Sequence, residues 1–363
     1  MTSAAGEAPR VLVVGGGLAG LLTVETLERR SGVLAVVWAA AESRHPAASQ
    51  VAAGMFNPVS FRRLLPVWEA ERHMAHAEEM YRGLEKRLGV GLWHEVPLFK
   101  RFPNQDYADL WAERLQSDHP VSPWIESQDW RDTKTLGRAP FGGGWVPRAG
   151  YVDLKNLISG FRTELDASDR WETREWFLSD GLPEGFDLVV DARGVGAKSD
   201  LAAFGLDVRP NHGEVLTLDP LDGSAWPDAL LNHKKWLLPL ADGRRYRLGA
   251  TYRWDLTEPV THEAARTELI GVMKELRPDL AFDDVVVDHL AGIRPASPDR
   301  RPMVGQPDPE GRPWYHLING LGTRGVLVGP RAAAEFHSTF VEKTQAVVDS
   351  ELVCQRFRTF KAR

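Results

Sequence analysis

Residues Val11 to Gly20 read Val-Leu-Val-Val-Gly-Gly-Gly-Leu-Ala-Gly and lead directly into an apolar, helix-like segment. The four aliphatic residues predict a buried parallel strand, and Gly15, Gly17 and Gly20 have the spacing of the dinucleotide-binding motif G-x-G-x-x-G. In that motif the first glycine permits a tight turn, the second leaves room for a pyrophosphate, and the third lets helix and strand pack closely. This stretch therefore predicts a dinucleotide site at a helix N-terminus.

Composition narrows the class of protein. A chain of 363 residues is longer than one hydrophobic core usually supports, so we expect two domains. The formal net charge of -6 gives no electrostatic reason to expect nucleic acid or an anionic membrane as a partner. Cys354 is the single cysteine, which excludes an internal disulfide and a thiolate zinc cluster. The near-absence of cysteine favours a reducing cytosol, so a cytoplasmic location is expected. The N-terminal ten residues carry no apolar signal core, and no window has the length of a membrane-spanning helix.

The second predicted strand, Val33 to Trp38, ends without the usual acid. An acidic residue about 20 positions beyond the last glycine normally binds the adenosine ribose. Here Ala39, Ala40 and Ala41 occupy the strand end, and Glu42 is the first acid. Either Glu42 reaches back or backbone and water hold the ribose. The predicted dinucleotide contacts in this first unit are Gly15, Gly17, Leu18, Ala19, Gly20, Ala39, Ala40 and Glu42.

Residues Ala47 to Pro58 are small and apolar without helical or strand periodicity, as expected where backbone lies close to a ligand. This run resembles the flavin-contacting segment of the D-amino-acid oxidase and glycine oxidase type of FAD-dependent amine oxidoreductases. Relatives with covalent flavin have a histidine where this chain has Val51, so the resemblance implies non-covalent FAD. The positions that match the flavin-contacting run are Ser49, Gln50, Val51, Ala52, Ala53, Gly54 and Met55.

Two middle segments resemble the same family. Gly142 to Leu157 is similar to the step at which the chain returns to the FAD domain, and Asp153 is expected to cap a helix that begins near Leu154. Phe186 to Gly196 is similar to a strand end that abuts the adenine half of FAD, which implicates Ala192 and Gly194. Arg193 replaces the usual alanine there and faces either the pyrophosphate or solvent.

The substrate domain is expected to be built on an antiparallel sheet. Val208 to Leu218 and Trp236 to Trp254 predict its strands, and Asp242-Gly243 predicts a hairpin turn. Trp236 falls where glycine oxidases tend to have a substrate-contacting tyrosine, and Tyr252 is a second candidate for the wall of the substrate site.

The C-terminal part carries the other specific resemblance. Gly292 to Gly305 is similar to the family's Gly-x-Arg-Pro-x-x-x-Asp-x-x-Pro-x-x-Gly signature, which places Arg294 at the flavin and substrate site. The later run Gly320 to Gly325 follows a predicted strand, and its Gly-Thr-Arg-Gly is similar to the oxidase domain of the bifunctional tRNA 5-methylaminomethyl-2-thiouridine enzyme. Arg324 is the second candidate for binding a substrate carboxylate. The loop residues expected at the flavin are Gly320, Gly322, Thr323, Arg324 and Gly325.

No spacing in the sequence predicts a metal site. His73 and His76 lie one turn apart on the predicted helix Pro66 to Gly89, beside Glu69, and we interpret them as solvent-exposed side chains of a charged helix face.

The resulting prediction is an α/β protein with a Rossmann-like FAD-binding domain of the glutathione reductase type and an α+β substrate domain. Segments 1–60, 150–207 and 289–363 form the FAD domain, and segments 61–149 and 208–288 form the substrate domain. The expected reaction is oxidation of a C–N bond in an amino acid or secondary amine, with oxygen or an electron carrier as acceptor. Two alternatives remain: a tRNA-modifying oxidase of a carboxymethylaminomethyl group, and a flavin-binding protein without turnover.

Overall fold

A computed structural model of the protein describes residues 8–41, 47–127, 136–220, 226–340 and 350–357. The strands follow in chain order: β1 Val11–Val14, β2 Ala35–Ala39, β3 Met55–Phe56, β4 Val59–Ser60, β5 Leu65–Pro66, β6 Trp93–Glu95, β7 Leu98–Arg101, β8 Gly143–Val146, β9 Gly150–Val152, β10 Trp171–Thr173, β11 Leu188–Asp191, β12 Arg209–Leu218, β13 Leu230–His233, β14 Lys235–Pro239, β15 Tyr246–Gly249, β16 Val286–Ala296, β17 Met303–Gly305 and β18 Tyr315–Asn319. The α-helices are α1 Leu18–Ser31, α2 Ala48–Val51, α3 Ala70–Leu88, α4 Gln105–Gln116, α5 Leu154–Ala167, α6 Lys198–Ala202, α7 Glu263–Leu276 and α8 Gly325–Phe340.

The first sheet has the strand order β10-β2-β1-β11-β18-β17 and is parallel except for β17. Val11–Val14 is buried along its whole length at the centre of this sheet, as the four aliphatic residues predict. Helices α1 and α8 pack against each other. The Rossmann-like fold class is thus confirmed, and the carboxyl ends of the parallel strands meet at one edge, where dinucleotides bind in such folds.

The second sheet has the order β16-β12-β15-β14-β13-β7-β8 and is mostly antiparallel. Its longest pairing joins β12 to β16 and sets Asn211 opposite Arg294. The predicted hairpin is confirmed: Asp242 Oδ1 accepts from the Arg244 amide at 3.0 Å, and Gly243 adopts a φ of 66°. Asp153 caps α5 as predicted, accepting from the Asn156 amide at 2.9 Å.

Helix α3 begins four residues later than the start predicted at Pro66, because Leu65–Pro66 pairs with β4 instead. The expectation that both of its histidines are solvent-exposed is wrong for His73, which is fully buried with its ring 5.0 Å from that of Trp68. His76 is half-buried and its Nδ1 lies 2.8 Å from the Arg72 carbonyl oxygen. The apolar stripe of α3 is therefore wider than the sequence pattern indicates.

The strands of the first sheet match the segments predicted for the FAD domain, whereas those of the second sheet match the predicted substrate segments less closely. All strands of the first sheet fall within 1–60, 150–207 and 289–363, whereas β16 of the second sheet crosses residue 289. Helix α3, from segment 61–149, packs on α8 and α5. The exact domain boundaries stay a prediction.

Arg87 joins three helices through acidic partners and provides a stability test. It contacts Glu25 and Glu28 of α1 and Glu164 of α5, and Glu25 is only 3% exposed. Burial raises the pKa of Glu25, and the nearby Arg87 charge opposes that rise. Replacing Arg87 by methionine is expected to cost about 3 kcal/mol in the free energy of unfolding at neutral pH, since a buried carboxylate loses its partner.

Urea unfolding of Arg87→Met beside Arg82→Met checks this expectation. Arg82 lies on the same helix, but its partners Glu85 and Glu95 both keep contact with solvent, at 21% and 59% exposed, so we expect a loss below about 1 kcal/mol. If Arg87→Met and Arg82→Met lose similar amounts of unfolding free energy, the burial of Glu25 is not what makes Arg87 important.

Lys100 on β7 provides a pH test. Its ammonium donates to Asn232 Oδ1 at 2.8 Å and lies over the Phe61 ring, with no carboxylate partner among the described residues. Burial lowers the pKa of Lys100 from 10.5 to about 8, and nearby Arg101 adds to the effect. Between these values the unfolded chain binds more protons than the folded one, so stability should rise with pH.

We expect the wild-type protein to gain about 2 kcal/mol relative to Lys100→Met between pH 7 and pH 10. Denaturant unfolding of both proteins across this pH range measures the difference in their free energies of unfolding. Because both proteins contain the other titrating groups, the contributions of those groups cancel in the difference. A difference that does not change with pH would contradict the lowered pKa.

Candidate functional site

A cavity of about 670 Å³ lies at the carboxyl edge of the first sheet and extends beneath the second sheet. Its walls come from both sheets, from the start of α1 and from the loop before α8. Volumes of this order are typical of small-molecule and cofactor sites. The cavity is therefore the candidate functional site, and its three regions differ in chemistry.

The glycine motif lines the middle region. Gly15 has a φ of 117°, which side chains rarely adopt, and a Cβ there would lie 2.6 Å from the Ala192 oxygen. A Cβ on Gly17 would meet nothing closer than Ser49 Oγ at 3.4 Å. A Cβ on Gly20 would lie 2.0 Å from the Gly15 oxygen, so Gly20 serves close packing of α1 on the turn. Each glycine thus has the local geometry that its motif position requires.

The start of α1 faces this middle region. The Leu18 amide donates to Ser49 Oγ at 3.3 Å, which joins the motif to α2 across the cavity wall. Helix N-termini attract anions through free N–H groups and the helix dipole. The arrangement can accommodate a pyrophosphate.

One end of the cavity is aromatic and basic. Trp38 and Trp171 line it, with the Arg174 guanidinium 4.0 Å from the Trp38 ring centre and that of Arg162 4.7 Å from Trp171. Glu42 lies outside the described residues. Among the described residues of the lining, Glu175 is the acidic one, and it can accept hydrogen bonds from a ribose.

Arg193 also lines the cavity but is paired with acids. Its guanidinium donates to Asp191 at 2.6 Å and Asp200 at 2.7 Å, and Asp191 is fully buried. Burial opposes the charge, yet the two carboxylates raise the pKa of Arg193. Arg193 therefore fixes the end of β11 through two carboxylates, a role that the sequence does not indicate.

The other end of the cavity lies between the two sheets. Gly54 turns the chain there with a φ of 67°, and a Cβ would lie 2.0 Å from the Val152 oxygen. Val51 is buried and packs beneath Gly292, with 3.1 Å between its Cβ and a Cβ built on that glycine. The residues around it, rather than Val51 itself, line the cavity.

Arg294 is a half-buried cation at this end. Its Nη1 donates to Asn211 Oδ1 at 3.0 Å and to the Thr251 carbonyl at 3.4 Å, and it stacks 4.8 Å from the Tyr252 ring centre. Its Nη2 and Nε have no hydrogen-bond partner among the described residues, and no carboxylate there pairs with it. Burial lowers the pKa of Arg294. An unpaired guanidinium that lines a cavity is suited to bind an anionic ligand.

Trp236 and Tyr252 also line this end, whereas Arg324 does not. Trp236 is 8% exposed and Tyr252 is 52% exposed, so the first forms an inner wall and the second the rim. Arg324 is exposed by surface area, although desolvation of its guanidinium lowers its pKa, an effect that Tyr252 opposes and Arg300 adds to. The structure thus separates the two arginine candidates, with Arg294 inside and Arg324 outside.

Most residues predicted from the sequence meet at this one cavity. Those that line it are Gly15, Gly17, Leu18, Ala19, Ala39, Ala40, Ser49, Gln50, Ala52, Ala53, Gly54, Met55, Ala192, Gly194, Trp236, Tyr252, Arg294, Gly322, Thr323 and Gly325. Those described outside the lining are Gly20, Val51, Gly320 and Arg324.

The residues that hold Arg294 and those at the basic end carry no signal that the sequence alone reveals. Asn211 and Thr251 carry no motif, although Asn211 could have been found from the strand predicted over 208–218 once its pairing was known. Arg162, Arg174 and Lys198 line the basic end from three separate elements. Only tertiary structure brings them together.

These observations fit FAD. The glycine turn and helix start suit a pyrophosphate, the aromatic end suits an adenine, and the region between the sheets leaves room for the flavin ring. A family model described as FAD dependent oxidoreductase (DAO) matches residues 10–336. The protein therefore belongs to the DAO family of FAD-dependent oxidoreductases.

Relatives within the family have two kinds of architecture. The chain is 27% identical to the tRNA 5-methylaminomethyl-2-thiouridine biosynthesis bifunctional protein MnmC of Aromatoleum aromaticum, over 96% of this chain and 59% of that protein. It is 25% identical to the glycine oxidase of Pseudomonas aeruginosa, over 94% of this chain and 96% of that enzyme. The chain thus spans about half the length of the bifunctional relatives that it matches.

Solved structures agree on the fold. The crystal structure of glycine oxidase from Bacillus cereus superposes with a TM-score of 0.77 at 19% identity, covering 95% of this chain and 98% of that one. The flavoprotein fold and the two-sheet architecture are therefore shared. None of the helices in the described parts of the chain has the length and apolar character needed to cross a membrane.

Proposed function

We propose that this oxidoreductase removes a hydride from the carbon next to the nitrogen of a small amine that carries a carboxylate. The observation that carries the proposal is Arg294, a half-buried guanidinium in the cavity wall with no described carboxylate partner. Its partners Asn211 and Thr251 are neutral and occupy only Nη1. A substrate carboxylate would supply the missing negative charge.

Bound FAD would supply hydride acceptance, and water would hydrolyse the resulting imine. The chain contributes orientation. Arg294 can hold a carboxylate through Nη2 and Nε in a two-point contact, which fixes the position of the adjacent carbon. Trp236 forms the inner wall, and Tyr252 covers the guanidinium at the rim. An uncharged amine needs no side-chain base, and we assign none.

The loop before α8 forms part of the cavity wall across from Arg294. Gly322, Thr323 and Gly325 line the cavity, and α8 begins at Gly325. Backbone N–H groups at such a helix start stabilise negative charge, including that of a reduced flavin. Oxygen or an electron carrier would then accept the electrons.

The test is the visible spectrum of the purified protein under anaerobic conditions, before and after addition of matched amines. Glycine and N-methylglycine carry the carboxylate, whereas methylamine and dimethylamine lack it. We expect bleaching of the flavin bands with at least one carboxylated amine and none with its matched partner. A yellow protein that no amino acid or secondary amine bleaches would contradict the proposal and favour flavin binding without turnover.

A second candidate is oxidation of a carboxymethylaminomethyl group on tRNA. It is favoured by the similarity to the bifunctional tRNA-modifying protein and by the Gly-Thr-Arg-Gly loop. The net charge of -6 opposes it, because tRNA binding requires a basic surface and depends strongly on salt. Filter binding with bulk tRNA at low salt tests this second candidate. Retention of tRNA that falls steeply with added salt would favour a tRNA substrate, and no retention at low salt would exclude one.

A further inference from the structure

Three histidines and a glutamate form a cluster on the second sheet, outside the cavity. His212 and Glu214 alternate along β12 with the residues that face Arg294, so their side chains lie on the sheet face that packs against α7. His262 immediately precedes α7, and His289 is on β16. His212 and Glu214 are 0% and 1% exposed. A buried carboxylate is thus surrounded by imidazoles.

The tautomer of His212 is fixed by its surroundings. Its Nε2 lies 3.0 Å from the Val260 carbonyl oxygen, which can only accept, so Nε2 carries the hydrogen. Nδ1 has no hydrogen-bond partner among the described residues and lies 3.9 Å from Glu214 Oε1. A neutral His212 therefore directs a lone pair toward a buried carboxylate, and a cation between the two would satisfy both.

The remaining geometry suits a metal ion. His262 Nδ1 lies 3.0 Å from Glu214 Oε1, and the ligand atoms of all three residues lie within 4.8 Å of one another. Ligand atoms in a tetrahedral zinc site are about 3.3 Å apart, given bonds of about 2.0 Å. The distances from Glu214 Oε1 to His262 Nδ1, 3.0 Å, and to His212 Nδ1, 3.9 Å, lie on either side of that ligand–ligand spacing. Metal-bound imidazoles usually donate their second nitrogen to a backbone carbonyl, as His212 does to Val260.

We propose that His212 Nδ1, Glu214 and His262 Nδ1 bind one divalent ion of the zinc class. Two imidazoles and a carboxylate match the ligand preference of Zn²⁺. The His262 side chain is 42% exposed, so it provides the entry route and leaves a fourth position for water. The His262 amide donates to Glu214 Oε2 at 2.8 Å, and His289 Nε2 lies 2.8 Å from the same oxygen. These contacts hold the carboxylate in place.

The ion would fasten the start of α7 to the strand that supports the substrate site. The Glu214 amide donates to Thr251 Oγ1 at 2.9 Å, and the Thr251 carbonyl accepts from Arg294. The expected role is therefore structural. It does not depend on which amine the enzyme oxidises.

The test uses the FAD-loaded, tag-free protein, dialysed against a chelator and titrated with Zn²⁺ in a calorimeter. We expect one Zn²⁺ per chain and a Tm that rises on loading. His212→Gln and His262→Gln should each weaken binding about tenfold or more. His76→Gln removes a half-buried histidine outside the cluster and should bind Zn²⁺ as the wild type does.

Two results would overturn the proposal: no saturable one-to-one binding to the wild type, or equal affinity in His212→Gln and His76→Gln. The flavin spectrum of each variant reports whether its cavity is intact. Since His262 is partly exposed, its variant should stay folded and keeps the test valid even if His212→Gln unfolds.

Discussion

Replacing Arg294 by methionine is expected to lower kcat/KM for a carboxylated amine by about two to three orders of magnitude. The guanidinium is half-buried and lacks a described carboxylate partner, so a bound substrate would lose a charge-assisted contact in a poorly solvated site. The matched amine without a carboxylate should lose far less. Steady-state kinetics with the two amines measure the difference.

Two further variants test whether the effect depends on the positive charge alone, on the two-point geometry of the guanidinium, or on its position at residue 294. Arg294→Lys keeps the charge but not the two-point contact, and it should recover only part of the activity. Arg324→Ala should have a smaller effect than Arg294→Met, because Arg324 is exposed and outside the cavity lining. A larger loss in Arg324→Ala would transfer the carboxylate-binding role to that residue.

Replacing Gly17 by valine is expected to yield a folded protein without FAD, and hence without measurable turnover. The backbone at Gly17 is extended, with a φ of -86°, and accepts any side chain. A Cβ there contacts Ser49 and Ala47 at ordinary distances, so valine's methyl groups project into the space expected for the pyrophosphate. We expect FAD affinity to fall at least about a hundredfold, measured by flavin fluorescence on titration.

Gly20→Val is the matched comparison. Its Cβ would overlap the Gly15 oxygen, so we expect a loss of about 3 kcal/mol or more in the free energy of unfolding. Circular dichroism and urea unfolding separate the two variants. If Gly17→Val retains yellow colour through purification, the placement of the pyrophosphate is wrong.

Features encoded locally could be predicted from the sequence. The turn at Gly15, the helix cap at Asp153 and the hairpin at Asp242-Gly243 each depend on a few adjacent residues with narrow backbone preferences. Such signals are strong because the chain conformation there is set by the residues themselves.

Features that depend on tertiary contacts could not be predicted from the sequence. The Arg193 side chain is held by Asp191 and Asp200, and Asp200 belongs to another element. His73 is buried because Trp68 covers it. The separation of Arg294 from Arg324 depends on the β12–β16 pairing, which sets Asn211 opposite Arg294, a residue 83 positions further along the chain (294 minus 211). Periodicity carries no information on such distant partners.

The order of strands in the first sheet has a consequence for biosynthesis. Central strand β1 pairs with β11, whose other neighbour is β18: Val11 lies beside Leu188, and Val189 lies beside Tyr315. These pairings close very long loops, whose entropy cost must be met before the contacts form. During translation β1 therefore waits for the roughly 180 residues that lead from Val11 to its partner Leu188, and the sheet edge that carries the cavity is complete only after β18 has been synthesised.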